Sequence, residues 1–575
     1  MRMSGRRRAC TVVSVGAVLV TSTAVLSGVQ PGAAAQTYYA PITGSLVLHG
    51  HGYGHGHGMS QHGAQGAALA GKRYHQILRF YYPRTDVGRN AGPIRVLLTA
   101  DTTSSVVVRP TRGLRVRDLR DRKSWRLPSR SAIDSWAIKP LQGQAARSTL
   151  EYHDTSGWHR WQVPGRGSFA GDAQFEADRA MGLRLPGGSV VRYRGALRAA
   201  APVLGSPHRD TVNVLSMDDY VRGVIASEMP ASWEPQALRS QAVAARTYAS
   251  YLQRSYADRY YQICDTTACQ VYGGASAETP STDTAVAKTA GQILTYRGKP
   301  ALTQFSASSG GWTSSGGTPY LPAKKDPYDD WNGNTVHDWT ARIGIASLES
   351  KYPALGRLEA VRVTSRDGHG EWGGRVRQLV LEGSRSDVTL SGDDLRWAFG
   401  LRSTWFTIEP TPIMAAWRHL GGRASPLGPP RSAEELVRGN RGQRGARQVF
   451  ASGRAYWSPA TGAHALRGAI LRRYRHAGGP GSRYGFPVGN VQRTADGGAK
   501  ARFQQGMFFR SKATGPQPVW GRILVAYGNR HFSAGRLGYP VTSVQQVTGG
   551  LRSRFQHGAI RWDRGSNKVT ITHRR

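Results

Sequence analysis

Glu228 has the setting in this chain that best suits acid–base chemistry. It lies in the segment SMDDYVRGVIASEMP, where apolar residues precede it at helical spacing, so its carboxyl shares the apolar face of a predicted helix. Pro230 ends that helix just after it. Desolvation and the negative end of the helix dipole both raise a carboxyl pKa, which makes Glu228 a candidate general acid. A buried salt bridge to Arg222 or Arg246 is the structural alternative.

Histidines are concentrated between residues 49 and 64, which read HGHGYGHGHGMSQHGA and hold five histidines and six glycines. Glycine at alternate positions lets the backbone approach a ligand or adopt positive φ angles, and imidazole titrates near neutral pH. We therefore predict a site in which His55, His57, Ser60 and Gln61 contact substrate. A tract that chelates adventitious metal and a purely structural Gly-His turn are the alternatives.

Predicted helices position these groups. Ser216 and Asp219 form a capping-box start for the helix that carries Glu228. Pro235 suits the first turn of a second helix over EPQALRSQAVAARTYASYL. A further helix is predicted from Gln61 onward, because MSQHGAQGAALAG repeats its residue types at helical spacing.

The second helix of the glutamate segment carries three more candidates for substrate binding. Gln241 and Tyr248 share one face a heptad apart, and Arg246 lies near that face. If the face borders a cleft, these side chains bind sugar hydroxyls or amides. Gln241 and Arg246 equally suit a structural role in which they hold the helix to a loop.

The rest of the chain is predicted to be rich in β-strands. Segments such as IRVLLTAD, SSVVVRP, LRVRDL and DTVNVL alternate β-branched and polar residues up to about residue 215, and residues 128–150 are predicted to form a loop. Near the C terminus, the turns SPLGPP, RYGFPVG and RLGYPV are each followed by an F-x-x-G step, with the phenylalanines 53 and 52 residues apart. This spacing predicts one turn-strand-strand module used three times, for binding or anchoring, with a ligand-free structural array as the alternative.

The first 35 residues are typical of a secretory signal peptide, with four arginines, an apolar stretch and a small-residue cleavage site after Ala35. A retained membrane anchor is the alternative, and the mature chain is predicted to have none. Cys264 and Cys269 remain after cleavage, and an oxidising environment predicts a disulfide between them. A zinc site would need distant ligands, because the neighbouring thirty residues contain no histidine.

The formal net charge is +41, from 77 basic and 36 acidic residues, four of the arginines lying in the leader. Such a surface attracts polyanions, and the alternative is that a GC-rich genome simply inflates the content of Arg, Ala and Gly. For an exported protein such polyanions are anionic cell-wall polymers rather than nucleic acid, because the arginines are dispersed along the chain and form no single basic stripe.

Several of these segments together resemble one family. The chain is similar to the SpoIID/LytB family in IASEMP with ALRSQAVAARTYA, in GHGHGMSQHGAQGA, and in FSASSGGWTSS, DPYDDW and LRSTWF, over about residues 42–408. The repeats over about 411–572 resemble LGFP repeats of exported actinobacterial wall proteins. The resemblance implies an α+β fold. It divides the chain into the leader (1–35), a permuted His/Gly motif segment (36–90), a catalytic domain (91–410) and three repeats (411–575).

The resemblance also implies a function. The family's activity is that of a lytic transglycosylase, which cleaves the peptidoglycan glycan strand after N-acetylmuramic acid and closes a 1,6-anhydro ring. By analogy Glu228 is the catalytic acid and then the base. One carboxylate suffices because the substrate supplies the nucleophile, so no cofactor is expected. The implied setting is secreted and associated with the wall.

Two departures from the family pattern bear on the site. The Gly-His-Gly and Met-Ser-Gln motif precedes the glutamate segment here, whereas in the sporulation enzymes it follows. We predict that the two segments nevertheless meet, so that His55, His57, Ser60 and Gln61 lie near Glu228. Some relatives use cysteine and histidine to bind zinc, and this chain lacks a matching cluster. A non-catalytic enhancer of another wall hydrolase and a histidine-based metal amidase are the competing functions.

Overall fold

The structure is a computed structural model, and it describes residues 35–41 and 44–574. The predicted leader therefore lies outside the described residues, apart from Ala35. Within the described part of the chain, no helix combines the length and apolar character needed to cross a membrane.

The described residues form an α+β fold with ten α-helices. These are α1 (Gln61–Leu69), α2 (Tyr74–Tyr81), α3 (Met217–Glu228), α4 (Pro235–Ser255), α5 (Pro280–Lys288), α6 (Ile345–Lys351), α7 (Gly392–Phe399), α8 (Pro412–His419), α9 (Gly468–His476) and α10 (Gly521–Gly528). The three helices predicted near the candidate site are α1, α3 and α4, and each is present.

Two large sheets build most of the region before residue 300. The seven-stranded sheet has the order Ile263–Cys264, Pro93–Leu97, Asp210–Ser216, Ala196–Ala200, Ala173–Glu176, Arg115–Asp118 and Ser124–Arg126. The six-stranded sheet has the order Gly157–Trp161, Gln144–Asp154, Ser135–Leu141, Val106–Val108, Met181–Arg184 and Val190–Tyr193. The expectation of a loop over residues 128–150 was wrong, because two strands of the second sheet occupy much of it. Trp136 is buried there among core side chains.

Four smaller sheets complete this part of the chain. One joins Gln36–Tyr39, Leu358–Arg366, Val376–Gly383 and Val388–Ser391, and a second joins Asp338–Gly344, Ser45–His51 and Phe406–Ile408. A third joins Lys299–Pro300, Gln292–Tyr296 and Asp86–Arg89, and a fourth pairs Phe305–Ser306 with Met59–Ser60 in parallel.

Two hydrophobic cores lie on either side of the His-Gly run. One core draws its residues from positions 59 to 321 and includes the apolar faces of α1, α3 and α4. The other combines residues 38–48 with residues 339–408. Residues 49–58 connect the two cores, and Gly52, Gly54, Gly56 and Gly58 all have positive φ angles. The alternating glycines are thus needed for the conformation of this connection.

The C-terminal region contains three modules, each with a four-stranded antiparallel sheet. Their strands are Glu435–Arg438, Arg444–Phe450, Gly453–Ser458 and Gly462–Arg467, then Gln492–Arg493, Ala499–Phe503, Gly506–Ser511 and Gly515–Val519, then Gln545–Val547, Gly550–Phe555, Gly558–Asp563 and Val569–His573. Each module also contains one short helix, α8, α9 or α10, which the turn-strand-strand prediction omitted.

Candidate active site

Glu228 lies at the C-terminal end of α3. The helix begins after Ser216, whose hydroxyl accepts a hydrogen bond from the Asp219 amide at 3.2 Å. It ends where Met229 turns to an extended conformation ahead of Pro230. The carboxyl group of Glu228 is therefore held at the negative end of a twelve-residue helix, where an ionised carboxylate is disfavoured.

Two donors from distant parts of the chain reach the Glu228 carboxyl. The Gln61 side-chain amide donates to Oε2 at 3.2 Å, across 167 residues of sequence. The Val271 backbone N–H donates to Oε1 at 3.1 Å. The structure thus brings the His-Gly segment to the glutamate segment through Gln61.

The pKa of Glu228 is raised above its usual value. Burial is the cause, and the hydrogen bonds from Val271 and Gln61 oppose it only in part. No charged side chain in the described part of the chain contributes to the shift. The Glu228 carboxyl therefore stays protonated up to a higher pH than the carboxyl of an exposed glutamate.

The salt-bridge alternative for Glu228 is not what the structure shows. Arg222 faces Asp283 at 3.3 Å, and Arg246 faces Asp218 at 2.7 Å. In residues 35–41 and 44–574, no ion pair involves Glu228.

Ser60 holds the start of α1, and with it Gln61, in place. Its hydroxyl caps the helix by accepting from the Gly63 amide at 2.9 Å and donates to the Asp329 carboxylate. Asp329 also accepts from the Ser308 hydroxyl at 2.7 Å and is paired with His337 at 2.9 Å. These partners lower the pKa of Asp329 to about 2 despite its burial.

Glycines in α1 allow this helix to pack closely on the segment 326–331. A Cβ at Gly63 would lie 2.0 Å from the Tyr81 hydroxyl, and one at Gly66 would lie 2.0 Å from the carbonyl oxygen of Tyr328. The Tyr81 hydroxyl donates to the buried carboxyl of Asp326, whose pKa burial raises to about 6. The glycines therefore set the distance between α1 and its support.

An aromatic group next to Gln61 was not among the predicted site residues. The His62 ring lies edge-on to Trp233 at 5.0 Å and tilted to Trp331 at 5.8 Å, and the two indoles are 6.2 Å apart. Both tryptophans are partly exposed. Partly exposed aromatic faces beside a carboxyl suit the apolar faces of sugar rings. Trp331 ends the segment DPYDDW and Trp233 follows IASEMP by three residues, so the family resemblance was the available signal.

His55 and His57 contact a different set of residues from Gln61. The Nδ1 of His55 accepts from the His57 amide at 2.9 Å, and their rings are 4.8 Å apart. The buried Arg375 is close enough to lower the pKa of both imidazoles, and burial, the larger cause, lowers that of His55 to about 3. Among the described contacts, none joins either ring to Glu228. Neutral imidazoles packed beside a buried arginine indicate a structural role for these two residues.

Four other candidates are placed in the interior or along α4. Ser60 is buried, and its hydroxyl bonds to Asp329 and to the Gly63 amide, so it supports Gln61 from the interior. Arg246 is fully buried and held by Asp218, which corrects the substrate-binding prediction and favours the structural alternative. Gln241 is fully buried, with neither amide atom bonded to another described residue. Tyr248 is partly buried, and burial raises the pKa of its phenol.

The loop that supplies Val271 is tied down by a disulfide. Cys264 and Cys269 are bonded, with their Cα atoms 5.5 Å apart. Gln270 accepts a hydrogen bond from the Tyr220 hydroxyl of α3 at 3.0 Å, and the Gly273 amide donates to the Gly223 carbonyl at 3.1 Å. Both sulfurs are used in this disulfide, as the sequence predicted.

One group of side chains has donor atoms that suit a metal ion. His51, His337 and Asp338 each offer a ligand atom, and these atoms lie within 4.8 Å of one another. His51 Nδ1 is hydrogen-bonded to Asp338 at 2.6 Å, and the His51 ring stacks on Trp372 at 4.5 Å. These contacts join the end of strand Ser45–His51 to the start of strand Asp338–Gly344 and to Trp372.

Comparison with known proteins identifies the families of both regions. The family model described as Stage II sporulation protein matches residues 206–296, and the LGFP repeat model matches residues 427–482 and 485–535. Stage II sporulation protein D of Bacillus subtilis (strain 168) is 31% identical over 265 residues, covering 41% of this chain and 72% of that protein. The chain belongs to the Stage II sporulation protein D family.

Other relatives match shorter stretches. Amidase enhancer of Bacillus subtilis (strain 168) is 41% identical over 137 residues, which cover 23% of this chain and only 18% of that protein. Stage II sporulation protein D of Bacillus amyloliquefaciens is 29% identical over 282 residues, covering 43% of this chain and 76% of that protein. Among solved structures, the extracellular domain of a two component system of B. thetaiotaomicron aligns with a TM-score of 0.11, too low to carry an argument. The two family matches fit an extracellular or wall-associated protein.

Proposed function

We propose that this protein is a peptidoglycan lytic transglycosylase. The observation that carries the proposal is the half-buried carboxyl of Glu228, whose pKa burial raises and which Gln61 and Val271 hold by hydrogen bonds. A general acid needs a proton to give near the working pH, and this environment provides it. Membership in the Stage II sporulation protein D family supports the same conclusion.

The reaction proceeds by one carboxyl acting twice. The protonated Glu228 donates its proton to the glycosidic oxygen between N-acetylmuramic acid and N-acetylglucosamine, and the bond from that oxygen to C1 of the muramic sugar breaks. The carboxylate then takes the proton of the C6 hydroxyl, whose oxygen bonds to C1 and closes the 1,6-anhydro ring. No water is consumed and no cofactor is required, since the nucleophile belongs to the substrate.

The neighbourhood of Glu228 suits this scheme better than hydrolysis by two carboxylates. Glycosidases that use water place a second carboxyl about 5 to 10 Å from the first. Among the described residues, the hydrogen bonds to the Glu228 carboxyl come from Gln61 and Val271, and no ion pair or hydrogen bond links it to a second carboxyl. We propose that Trp233 and Trp331 bind the sugar rings and that Gln61 orients the carboxyl.

The test uses purified protein and peptidoglycan, both intact and stripped of stem peptides, with products analysed by mass. We expect 1,6-anhydro ends from at least one substrate, and a loss of at least about a hundredfold in their rate of formation in Glu228→Gln, with binding to the wall unchanged. Hydrolytic reducing ends in place of anhydro ends would overturn the mechanism.

A second candidate function is non-catalytic enhancement of another wall hydrolase. The 41% identity to a protein named Amidase enhancer favours it. In that case the parent protein releases no glycan product by itself, and Glu228→Gln leaves its effect on an added amidase unchanged. Comparison of the parent protein with Glu228→Gln therefore distinguishes the two candidate functions.

A further inference from the structure

The three C-terminal modules share one scaffold, which allows their residues to be compared position by position. Near the end of each helix, an aromatic side chain donates a hydrogen bond to the backbone carbonyl of a glycine in the following turn. The donor is an indole N–H in the first module and a tyrosine hydroxyl in the other two. The pairs are Trp417 with Gly428 at 2.9 Å, Tyr474 with Gly485 at 2.6 Å, and Tyr527 with Gly538 at 2.8 Å. The residues just after each helix have positive φ angles in all three modules: Gly421 and Gly422, Gly478 and Gly479, His531 and Phe532. Gly479 is thus the counterpart of Phe532.

The residue at this position decides whether the junction between neighbouring modules is filled. Phe532 lies 5.5 Å from the ring of Phe509 in the preceding sheet and 5.5 Å from that of Tyr527. At the earlier junction the counterparts of those two rings, Tyr456 and Tyr474, also pack together, 5.4 Å apart. Gly479 places no ring over them, and a Cβ there would meet nothing within 4 Å. A cleft of about 590 Å³ occupies this place.

Basic side chains line this cleft, which we call the arginine cleft. They are Arg447, Arg454, Arg472, Arg475 and His476, with Tyr456 and the turn 478–480. The counterparts at the next junction are Lys500, Met507, Val525, Gly528 and Asn529. Since only one of those five is basic, the shared scaffold does not account for the concentration of positive charge. The junction between the first two modules, which has Gly479 where the next junction has Phe532, is thus the one that carries the arginines.

The charges in the arginine cleft converge and are only partly neutralised. Arg447, Arg454 and Arg475 line the cleft together with Tyr456, and all three oppose the effect of burial on the pKa of its phenol. Arg447 is paired with Glu435 at 2.7 Å. In the part of the chain that the structure describes, no carboxylate forms an ion pair with Arg454, Arg472 or Arg475. Guanidinium groups concentrated in a concave site attract an anion of matching geometry.

We propose that the arginine cleft binds the anionic groups of a wall polymer, either phosphate diesters or carboxylates. The proposal rests on the wall role stated above and adds the place and chemistry of attachment. Arginine suits both groups because its planar fork donates two parallel hydrogen bonds to a pair of oxygens. The Tyr456 hydroxyl at the base of the cleft offers a further hydrogen bond.

Titration calorimetry with the full mature chain tests the proposal, with a glycerol phosphate oligomer and an oligogalacturonate as probes at one fixed ionic strength. The double variant R454A/R475A is expected to bind the preferred probe at least about tenfold more weakly, as loss of charge-assisted hydrogen bonds predicts. Tighter binding of the glycerol phosphate oligomer would indicate a site for phosphate diesters, and tighter binding of the oligogalacturonate would indicate a site for carboxylates. Arg444→Ala, an exposed arginine outside the cleft on the same strand as Arg447, is the matched control and is expected to change affinity less than about twofold.

Gly479→Phe tests the cleft without changing any charge. The backbone conformation there already holds phenylalanine in the next module, at Phe532. The new ring is expected to fill the cleft and reduce probe affinity as strongly as the double arginine variant, while a thermal melt confirms that the module is folded. Should Gly479→Phe unfold the module, R454A/R475A with its control still decides. Unchanged binding in R454A/R475A, or equal loss in Arg444→Ala, would overturn the proposal. Formation of anhydro ends from a soluble glycan oligomer, measured in parallel, tests the proposed enzyme activity separately.

Discussion

At the scale of single residues, the candidate site depends on two opposing effects on the Glu228 carboxyl, its burial and its hydrogen bonds. Burial raises its pKa, and the two hydrogen bonds from Gln61 and Val271 limit the rise. A carboxyl with no such donors would be too weak an acid to protonate a leaving oxygen efficiently. The two donors therefore adjust the acid as well as orient it.

Replacing Gln61 by alanine provides a test of that adjustment. Removing a donor that favours the carboxylate raises the pKa of Glu228 further. The group is active as the protonated acid, so the rate falls as pH rises through its pKa, and this basic limb of the pH–rate profile is expected to move to higher pH in Gln61→Ala. The measurement is the rate of anhydro-end formation as a function of pH.

Gln65→Ala is the matched control for this variant. Gln65 lies one turn further along α1 and is similarly buried, but its side chain accepts from the Glu234 amide at 2.9 Å. Its loss is expected to leave the position of the basic limb unchanged. A shift to lower pH in Gln61→Ala, or an equal shift in Gln65→Ala, would contradict the assigned role of Gln61.

At the scale of elements, local patterns predicted the helices but not all their neighbours. The capping residues and apolar spacing of α3 and the proline at the start of α4 determine their ends, so both were predictable. The meeting of Gln61 with Glu228 was predicted from the family resemblance, because a contact across 167 residues leaves no local periodicity. Val271 was missed since it acts through its backbone amide, which any residue type would provide.

The errors at this scale have physical causes too. The helices α8, α9 and α10 have eight or nine residues, and glycine begins two of them, so they have weak helical signals beside the strong turn motifs. In residues 128–150, strand Ser135–Leu141 has four consecutive buried residues. A strand buried in this way lacks the alternation expected of a half-buried strand.

The disulfide is the element whose removal should affect both stability and chemistry. In a Cys264→Ser, Cys269→Ser double variant, the short closed loop gains freedom in the unfolded state, and the free energy of unfolding is expected to fall by about 2 kcal/mol. Val271, whose amide lowers the pKa of Glu228, follows this closed loop by two residues, so loosening the loop is expected to move the basic limb of the pH–rate profile to higher pH.

Chemical unfolding and the pH–rate profile together measure these two effects. Thr267→Ala, an exposed change within the same loop, is the control and is expected to alter neither. If the double variant loses stability while the basic limb stays in place, the loop is a structural brace only and does not position Val271.

At the scale of the whole molecule, the proposed function places glycan cleavage and attachment to the wall in separate regions of the chain. Glu228 lies at the end of α3, whose apolar face belongs to the core that spans residues 59 to 321, whereas the arginine cleft lies between the first two C-terminal modules. The net charge of +41 adds a long-range attraction to the polyanionic wall, which salt screens. Attachment then raises the local concentration of enzyme at an insoluble substrate without changing the chemical step.

This separation predicts opposite behaviour for two variants that each remove one function. Glu228→Gln is expected to bind insoluble wall as the parent does and to release almost no anhydro products from any substrate. R454A/R475A is expected to cleave soluble glycan oligomers at the parental rate and to act at least about tenfold more slowly on insoluble wall at low protein concentration. The difference should shrink as protein concentration rises, because saturation removes the advantage of attachment. Equal losses by R454A/R475A on soluble and insoluble substrates would show instead that the modules act on catalysis directly.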